Sequence, residues 1–242
     1  MSLMFRAAME HELFLEIIST PSYTAAATNI AKERFFFNTN GLISNLYYSG
    51  HVYDKCIGGK TGSTDEAGHC LVSSAAKGSL SFISVLLDCE RLTLEGGEIR
   101  TMSFYETNRL FDWAFNNFSY QTILRAEEFP REVAVSLSEI EHVTVHPARD
   151  VEVLFPNDLT PEDLERTITL HADPVEAPVR DGQVLGTIQL SHDGHVYATE
   201  NLLALNDVEA SKMLVFLRDL RLFFAKPAVK IAGIVLAVLL VA

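Results

Sequence analysis

The stretch Gly58-Gly59-Lys60-Thr61-Gly62-Ser63-Thr64-Asp65-Glu66-Ala67-Gly68-His69-Cys70-Leu71-Val72 decides the fold of this chain. Its glycine pair, Gly58-Gly59, lets another backbone approach closely, because glycine has no Cβ. The end of the stretch, 67–72, predicts a buried strand. Between these two parts lies the triplet Lys60-Thr61-Gly62. Three fixed residues arise by chance in roughly one chain in thirty of this length, so the triplet needs support from its surroundings.

The elements around this stretch are predicted to be a hairpin, a loop and two helices. Two apolar runs, 71–76 and 79–87, flank Lys77-Gly78 and predict a β-hairpin. Glu90–Arg100 is polar, contains two consecutive glycines and is expected to be a loop. Helices are expected over Ser2–Ile18, which Pro21 ends, and over Met102–Phe118, which would bury Phe111, Phe115 and Phe118.

The chain changes character after about Ile123. Prolines punctuate short stretches in which apolar and polar residues alternate, and this pattern is typical of a small all-β module. A last helix is predicted from Asn206, with Glu209 three residues later. Its apolar face would carry Met213, Leu217, Leu220 and Phe224, opposite Lys212, Arg218 and Arg221, and it leads into the apolar run Ile231–Ala242.

Charge and composition exclude several classes of function. The formal net charge of −13 argues against a nucleic-acid partner, because phosphate binding needs a basic surface. His142 and His146 share a strand face, and His192 and His195 flank a turn, but neither pair has a convincing third metal ligand. No phosphate loop or dinucleotide motif is present, so neither a metal nor a cofactor is expected. The three cysteines (Cys56, Cys70 and Cys89) are too few for a closed disulfide framework.

Three motifs occur in an order that resembles one family. The first is Asn38-Thr39-Asn40 after an extended segment, although turn chemistry explains the two asparagines equally well. The second is Lys60-Thr61-Gly62, the Lys-Thr-Gly box of penicillin-binding proteins. The third is Ala177-Pro178 followed by Gly182 and Gly186. Together they resemble the D-alanyl-D-alanine carboxypeptidases of the low-molecular-weight penicillin-binding family, peptidase S11 type.

The resemblance implies an α+β fold in three parts. Residues 1–123 would be part of a catalytic domain with an antiparallel sheet and helices, and 124–206 a small, sandwich-like all-β domain. Residues 207–242 would be an amphipathic helix and a membrane anchor. The apolar run alone covers only about 18 Å, less than the roughly 30 Å hydrocarbon core, so an anchor must begin near Leu222. No secretory signal precedes the first predicted helix.

The resemblance also assigns roles to the residues of the box. Lys60 would supply positive charge for the terminal carboxylate of a peptide and for proton transfer, and Thr61 would hydrogen-bond that carboxylate. The backbone N–H of Ser63 would be one oxyanion donor. Gly62 completes the catalytic box with Lys60 and Thr61. Thr64, like Ser63, is assigned to substrate binding. Relatives place a carboxylate-binding arginine where Ser103 stands here, so Arg100 is a candidate substitute.

The nucleophile of the family is not found in this sequence. An acyl-serine mechanism needs a Ser-x-x-Lys box and a Ser-x-Asn box ahead of the Lys-Thr-Gly strand. There is no Ser-x-Asn, and the one Ser-x-x-Lys, Ser74–Lys77, follows the box and lies on a predicted strand. The chain is therefore expected to be the C-terminal part of a serine-type carboxypeptidase, inactive alone. The alternative is a non-catalytic, membrane-attached remnant that only interacts with the cell wall.

The family implies the setting in which such a protein acts. Its substrate would be a peptidoglycan stem peptide that ends in D-Ala-D-Ala, and β-lactam antibiotics would inhibit the intact enzyme. The expected location is the extracytoplasmic face of a bacterial membrane, reached through the C-terminus.

Overall fold

A computed structural model describes residues 1–128, 130–227, 229 and 231 of the chain. The described residues form an α+β protein that divides into two compact units. The first unit contains Met1–Ser119 together with Phe155–Asp158, and the second contains Tyr120–Leu154 and the chain from Leu159 onward.

The first unit contains three helices and seven strands. Its helices are α1 (Ser2–Ala8), α2 (Glu12–Ser19) and α3 (Met102–Asn117). Its strands are β1 (Ser22–Ala25), β2 (Arg34–Phe37), β3 (Cys56–Thr64), β4 (Gly68–Lys77), β5 (Leu80–Cys89), β6 (Arg91–Thr93) and β7 (Ile99–Thr101).

The centre of this unit is an antiparallel sheet in the order β3-β4-β5. In the register, Val72 of β4 lies opposite Lys60 of β3 and Val85 of β5. The predicted hairpin is confirmed: β4 and β5 meet at Lys77 and Leu80, and Gly78 in the turn has a φ of 61°. The quoted stretch therefore forms most of strand β3, a tight turn and the first half of strand β4.

Helices cover both faces of the sheet. On one face, Leu71 and Ala75 pack with Phe104, Phe111 and Phe115 of α3. On the other face, Val72 packs with Phe5 of α1 and Ile18 of α2. Because successive strand residues point to opposite faces, β4 is buried on both sides. Its centre is accordingly a continuous run of small and apolar residues, 71–75.

Three sequence predictions for this unit are corrected by the structure. The N-terminal helix is broken into α1 and α2, because Met9 caps α1 and His11 has an extended backbone before α2. The polar stretch 90–100 is not only a loop, since β6 and β7 pair within it as a short hairpin. Phe118 is half-buried and begins the next strand, whereas Phe111 and Phe115 are buried as predicted.

The second unit consists mainly of short strands, as the proline-punctuated pattern predicts. The strands are β8 (Phe118–Leu124), β9 (Arg131–Ser136), β10 (His142–Pro147), β11 (Val151–Pro156), β12 (Glu165–Leu170), β13 (Val175–Glu176), β14 (Val184–His192) and β15 (His195–Ala204).

Six of these strands form one sheet in the order β12-β14-β15-β10-β9-β13, and β8 pairs with β11. β14 and β15 form a long hairpin around Asp193-Gly194, the turn that the sequence predicts. Gly186 faces β12, where an added Cβ would lie 2.4 Å from the carbonyl oxygen of Thr169. The glycine that ends the Ala-Pro motif therefore permits close strand packing.

The last described helix is α4 (Lys212–Ala225). It begins six residues later than predicted, directly after the cap residue Ser211, and Glu209 pairs with Arg180 instead of capping the helix. The apolar residues of the predicted face are all exposed. The described part of the chain contains no helix that is both long and apolar enough to cross a membrane. Except for Ile231, the apolar run 231–242 lies outside the described residues.

Candidate functional site

The predicted site residues 60–64 lie together on β3, which pairs with β4 along one edge, whereas Arg100 lies on β7. No strand pairs with its other edge among the residues that the structure describes. Lys60 is exposed, and its Nζ donates to the carbonyl oxygen of Thr61 at 2.5 Å. Thr61 is half-buried, whereas Gly62, Ser63 and Thr64 are exposed. An unpaired strand edge offers backbone N–H and C=O groups to an extended ligand.

The three glycines of this strand have different surroundings. A Cβ on Gly58 would lie 2.5 Å from the carbonyl oxygen of Ile18, so this glycine lets the end of α2 rest on β3. A Cβ on Gly59 would lie 2.5 Å from the carbonyl oxygen of Val72. At Gly62 an added Cβ would meet nothing within 4 Å. Packing therefore explains Gly58 and Gly59, while the space beside Gly62 is open.

The segment 38–40 lies against β3 and is held by hydrogen bonds to the backbone. Asn38 Nδ2 donates to the carbonyl oxygen of Thr20 at 3.1 Å, and Asn38 Oδ1 accepts from the N–H of Asn40 at 2.9 Å. Asn40 is fully buried, and its Oδ1 accepts from the N–H of Leu42 at 3.0 Å. Both asparagines therefore perform turn chemistry, one of the two interpretations that the sequence left open.

Thr39, between the two asparagines, contacts the predicted site directly. Its Oγ1 lies 2.5 Å from Thr61 Oγ1, across 22 positions of sequence. Sequence reasoning assigned no role to Thr39. The only available signal was a hydroxyl residue flanked by two turn-forming asparagines, and this signal says nothing about what the hydroxyl touches.

A small polar cluster lies where the beginning of β3 pairs with β4. Ser73 Oγ donates to the carbonyl oxygen of Gly58 at 2.9 Å, and Cys56 Sγ lies 3.4 Å from Ser73 Oγ. Burial raises the pKa of the Cys56 thiol, against the opposing effect of its hydrogen bond with Ser73. A thiol with a raised pKa is a poor nucleophile, so Cys56 fits a structural role. All three cysteines are free thiols and half-buried.

Arg100 is engaged by two residues outside β3. Its guanidinium lies 3.5 Å from Glu98 Oε1 and 4.7 Å from the centre of the Tyr105 ring. Ser103, the alternative position for a carboxylate-binding residue, is buried in α3, where its carbonyl accepts from Thr107. Burial lowers the pKa of the nearby His51, with a further contribution from the positive charge of Arg100.

Ser74 and Lys77 are not arranged as a nucleophile and its base. Ser74 is fully buried and its Oγ has no hydrogen-bond partner in the described structure, whereas Lys77 is exposed at the end of β4. Positions three apart on a strand point to opposite faces, so the Lys77 amine cannot take the Ser74 proton. Within the described residues there is also no group of three or more His, Cys, Asp or Glu side chains that would hold a metal ion.

Comparisons with known proteins match both units. Residues 1–91 match the family model of D-alanyl-D-alanine carboxypeptidase, and residues 118–210 match that of the penicillin-binding protein 5 C-terminal domain.

Individual relatives and one solved structure are also similar to this chain. D-alanyl-D-alanine carboxypeptidase DacA of Escherichia coli is 30% identical over 184 residues, which are 74% of this chain and 43% of that protein. DacF of Bacillus subtilis is 25% identical over 190 residues, 78% of this chain and 45% of that protein. The structure of penicillin binding protein 5 from Haemophilus influenzae aligns with 85% of this chain and 53% of its own, at 25% identity and a TM-score of 0.49.

The chain spans less than half the length of these two curated relatives. The two family models follow each other in the order that the sequence motifs predict, and between them they cover most of the chain. The protein belongs to the D-alanyl-D-alanine carboxypeptidase family, of which it carries part of the peptidase domain and the C-terminal domain of penicillin-binding protein 5.

Proposed function

We propose that strand β3 binds the carboxyl-terminal end of a peptidoglycan stem peptide that ends in D-Ala-D-Ala. The protein would serve as the substrate-binding part of a serine-type D-alanyl-D-alanine carboxypeptidase, which removes the terminal D-Ala during cell-wall remodelling. The observation that carries this proposal is the strand edge itself, where Lys60, Thr61 and Gly62 follow one another beside open space.

Each residue of the strand has a role in this proposal. Lys60 supplies the positive charge that a carboxylate requires, and the hydroxyl of Thr61 donates a hydrogen bond to it. Gly62 leaves room for the peptide, and the backbone N–H of Ser63 is one donor for the reacting carbonyl oxygen. Thr64 contributes to substrate binding on the same strand. Arg100 is a weaker candidate, because Glu98 and Tyr105 already engage its guanidinium.

The chain alone is proposed to bind but not to hydrolyse. The activated serine of the acyl-serine mechanism has no counterpart here, since Ser74 is buried and has no base. β-Lactams, which acylate that serine, would inhibit only an intact enzyme. We expect no stoichiometric covalent adduct when the purified chain is incubated with a fluorescent penicillin. An adduct that maps to Ser74 would overturn this part of the proposal.

Binding is tested by titration with an acetylated peptide ending in D-Ala-D-Ala, followed by NMR. We expect shift changes at 60–64 that are lost when the C-terminus of the peptide is amidated, because the charge is then removed. Lys60→Met should weaken binding, and Lys77→Met, an exposed lysine at the far end of β4, is the matched control. No shift changes with the wild-type chain would contradict the proposed function.

For the chain as a whole we propose the division 1–123, 124–206 and 207–242 into peptidase part, β domain and membrane attachment. The supporting observation for the attachment is that α4 exposes Met213, Leu217, Leu220 and Phe224. Arg218, by contrast, is paired with Glu176 and Asp219, which leaves it less available to lipid headgroups.

We place this attachment on the extracytoplasmic face of a bacterial membrane, where peptidoglycan is found. Salt and alkaline carbonate extraction of membranes separates the modes of attachment. Release by carbonate but not by salt would indicate a helix that lies in the interface. Protein found entirely in the soluble fraction would contradict the attachment.

The second candidate function is a non-catalytic, membrane-attached protein that interacts with the cell wall. The absence of a nucleophile from the sequence favours it. It differs from the first candidate in requiring no peptide binding at β3, so the titration above distinguishes the two.

A further inference from the structure

Thr39 lies at the proposed binding strand without an assigned role. Its side chain is exposed, yet its Oγ1 is 2.5 Å from Thr61 Oγ1. This distance is at the short end of the range for hydrogen bonds between hydroxyl groups. The two residues are joined by no regular secondary structure, so the contact depends on how the segment 38–40 is held against β3.

The backbone on both sides of Thr39 is fixed. On one side, the N–H of Asn38 donates to the carbonyl oxygen of Pro21 at 2.8 Å, and the side chain of Asn38 binds the carbonyl oxygen of Thr20. On the other side, Asn40 is fully buried, and its Nδ2 lies 3.0 Å from where a Cβ on Gly59 would be. An exposed side chain between two anchored residues can point in only a few directions, and here it points at Thr61.

The hydroxyl groups of Thr39 and Thr61 have one proton that their mutual hydrogen bond does not use. A threonine hydroxyl donates one hydrogen bond and accepts up to two. Two hydroxyls carry two protons, and their mutual hydrogen bond uses one of them. The second proton remains for an anion beside the strand. A single exposed hydroxyl would instead rotate among its staggered positions and exchange partners with water.

We propose that Thr39 is a positioning residue that acts through Thr61. Its hydroxyl holds Thr61 Oγ1 in one rotamer, so that a proton of the pair faces the terminal carboxylate of the bound peptide. The inference rests on the proposed function for the identity of the ligand. It goes beyond that function by assigning a role to a residue outside the Lys-Thr-Gly strand.

Two variants of the full-length chain separate the hydroxyl of Thr39 from its bulk. Thr39→Val removes the hydroxyl at nearly constant size, and Thr39→Ser keeps the hydroxyl and removes the methyl. Thr24→Val, an exposed threonine on β1, is the matched control. Because residue 39 is exposed, all three variants should keep the thermal unfolding temperature of the wild type, which circular dichroism verifies.

The first measurement needs no ligand. Three-bond couplings to the Thr61 methyl carbon report its χ1 rotamer. We expect one rotamer in the wild type, in Thr39→Ser and in Thr24→Val, and rotamer averaging in Thr39→Val. An unchanged Thr61 rotamer in Thr39→Val would overturn the inference, whatever the chain binds.

The second measurement is the peptide titration described above. We expect Thr39→Val to weaken binding about three- to tenfold, the usual effect of losing one hydrogen bond, and Thr39→Ser to restore it. In a Thr61→Val background, Thr39→Val should have no further effect. Equal binding by the wild type and Thr39→Val would refute positioning while leaving the proposed function intact. If the wild type does not bind the peptide, the proposed function fails and the rotamer measurement alone decides whether Thr39 orients Thr61.

Discussion

At the scale of single residues, the glycines of β3 distinguish a position that packing requires to be glycine from one that is open to a ligand. An alanine at Gly59 would place its Cβ 2.5 Å from the carbonyl oxygen of Val72, whereas at Gly62 it would meet nothing within 4 Å. We expect Gly59→Ala to lower the free energy of unfolding by about 1–3 kcal/mol, because overpacked backbone must shift. Gly62→Ala should change it by less than about 0.5 kcal/mol. Urea unfolding measures both, and equal losses in the two variants would contradict the packing argument.

A second residue-scale prediction concerns pH. His51 is buried, and burial together with the charge of Arg100 lowers its pKa below the ordinary 6.5. The unfolded state therefore binds a proton more readily than the folded state, so stability is complete above about pH 6.5 and falls as the pH drops below it. His51→Gln should flatten this part of the curve relative to the wild type. Urea midpoints between pH 5 and 8 provide the measurement, and parallel curves for both proteins would be evidence against the prediction.

At the scale of elements, α3 is attached to the sheet by one row of aromatic side chains. Phe111 is 1% exposed and stacks on Tyr53 at 5.8 Å between ring centres, whereas its neighbour Leu110 is 46% exposed. Phe111→Ala should therefore destabilise the protein by about 3–5 kcal/mol, through lost burial and the cavity left behind. Leu110→Ala on the same helix should cost less than about 0.5 kcal/mol. Thermal and urea unfolding of the two variants test this, and a mild effect of Phe111→Ala would mean that α3 is not anchored by this row.

At the scale of the whole molecule, the first unit leaves a wide apolar surface uncovered. A groove of about 460 Å³ is lined in part by Leu13 and Ile17 of α2, Tyr23 of β1, and Phe36 and Phe37 of β2, all of which are more than 40% exposed. Contiguous apolar patches of this kind favour association. We therefore expect the chain to self-associate even without its C-terminal apolar run.

Sedimentation velocity over a range of concentrations checks this expectation. Ile17→Lys combined with Phe36→Glu should shift the protein towards monomer, because both charges fall inside the groove. Trp113→Lys, at an exposed aromatic on α3, is the control and should leave association unchanged. If the chain without residues 222–242 and without these substitutions remains monomeric at all concentrations, the exposed groove does not cause self-association.

The amino-acid sequence by itself determined the family, the central hairpin, the long helix after it and the all-β character of the second half. Each of these depends on signals that are local in sequence: a motif, alternation of apolar residues, or the spacing of aromatic residues on one helix. The predictions that were wrong also concern features that are local in sequence. The break between α1 and α2, the β6–β7 hairpin and the late start of α4 are set by backbone conformation and side-chain partners that periodicity does not encode.

Only the tertiary structure decided which residues surround β3. It showed that Gly58 and Gly59 are required by packing against Ile18 and Val72, while Gly62 is not. It also buried Ser74, which the sequence had already excluded as a nucleophile, and brought Thr39 to Thr61. These contacts join positions that are separated in the chain, and they exist only because three helices and a loop pack against one sheet. A sequence pattern indicates which face of a helix or strand is buried. Which residues that face contacts is determined only when the elements pack together.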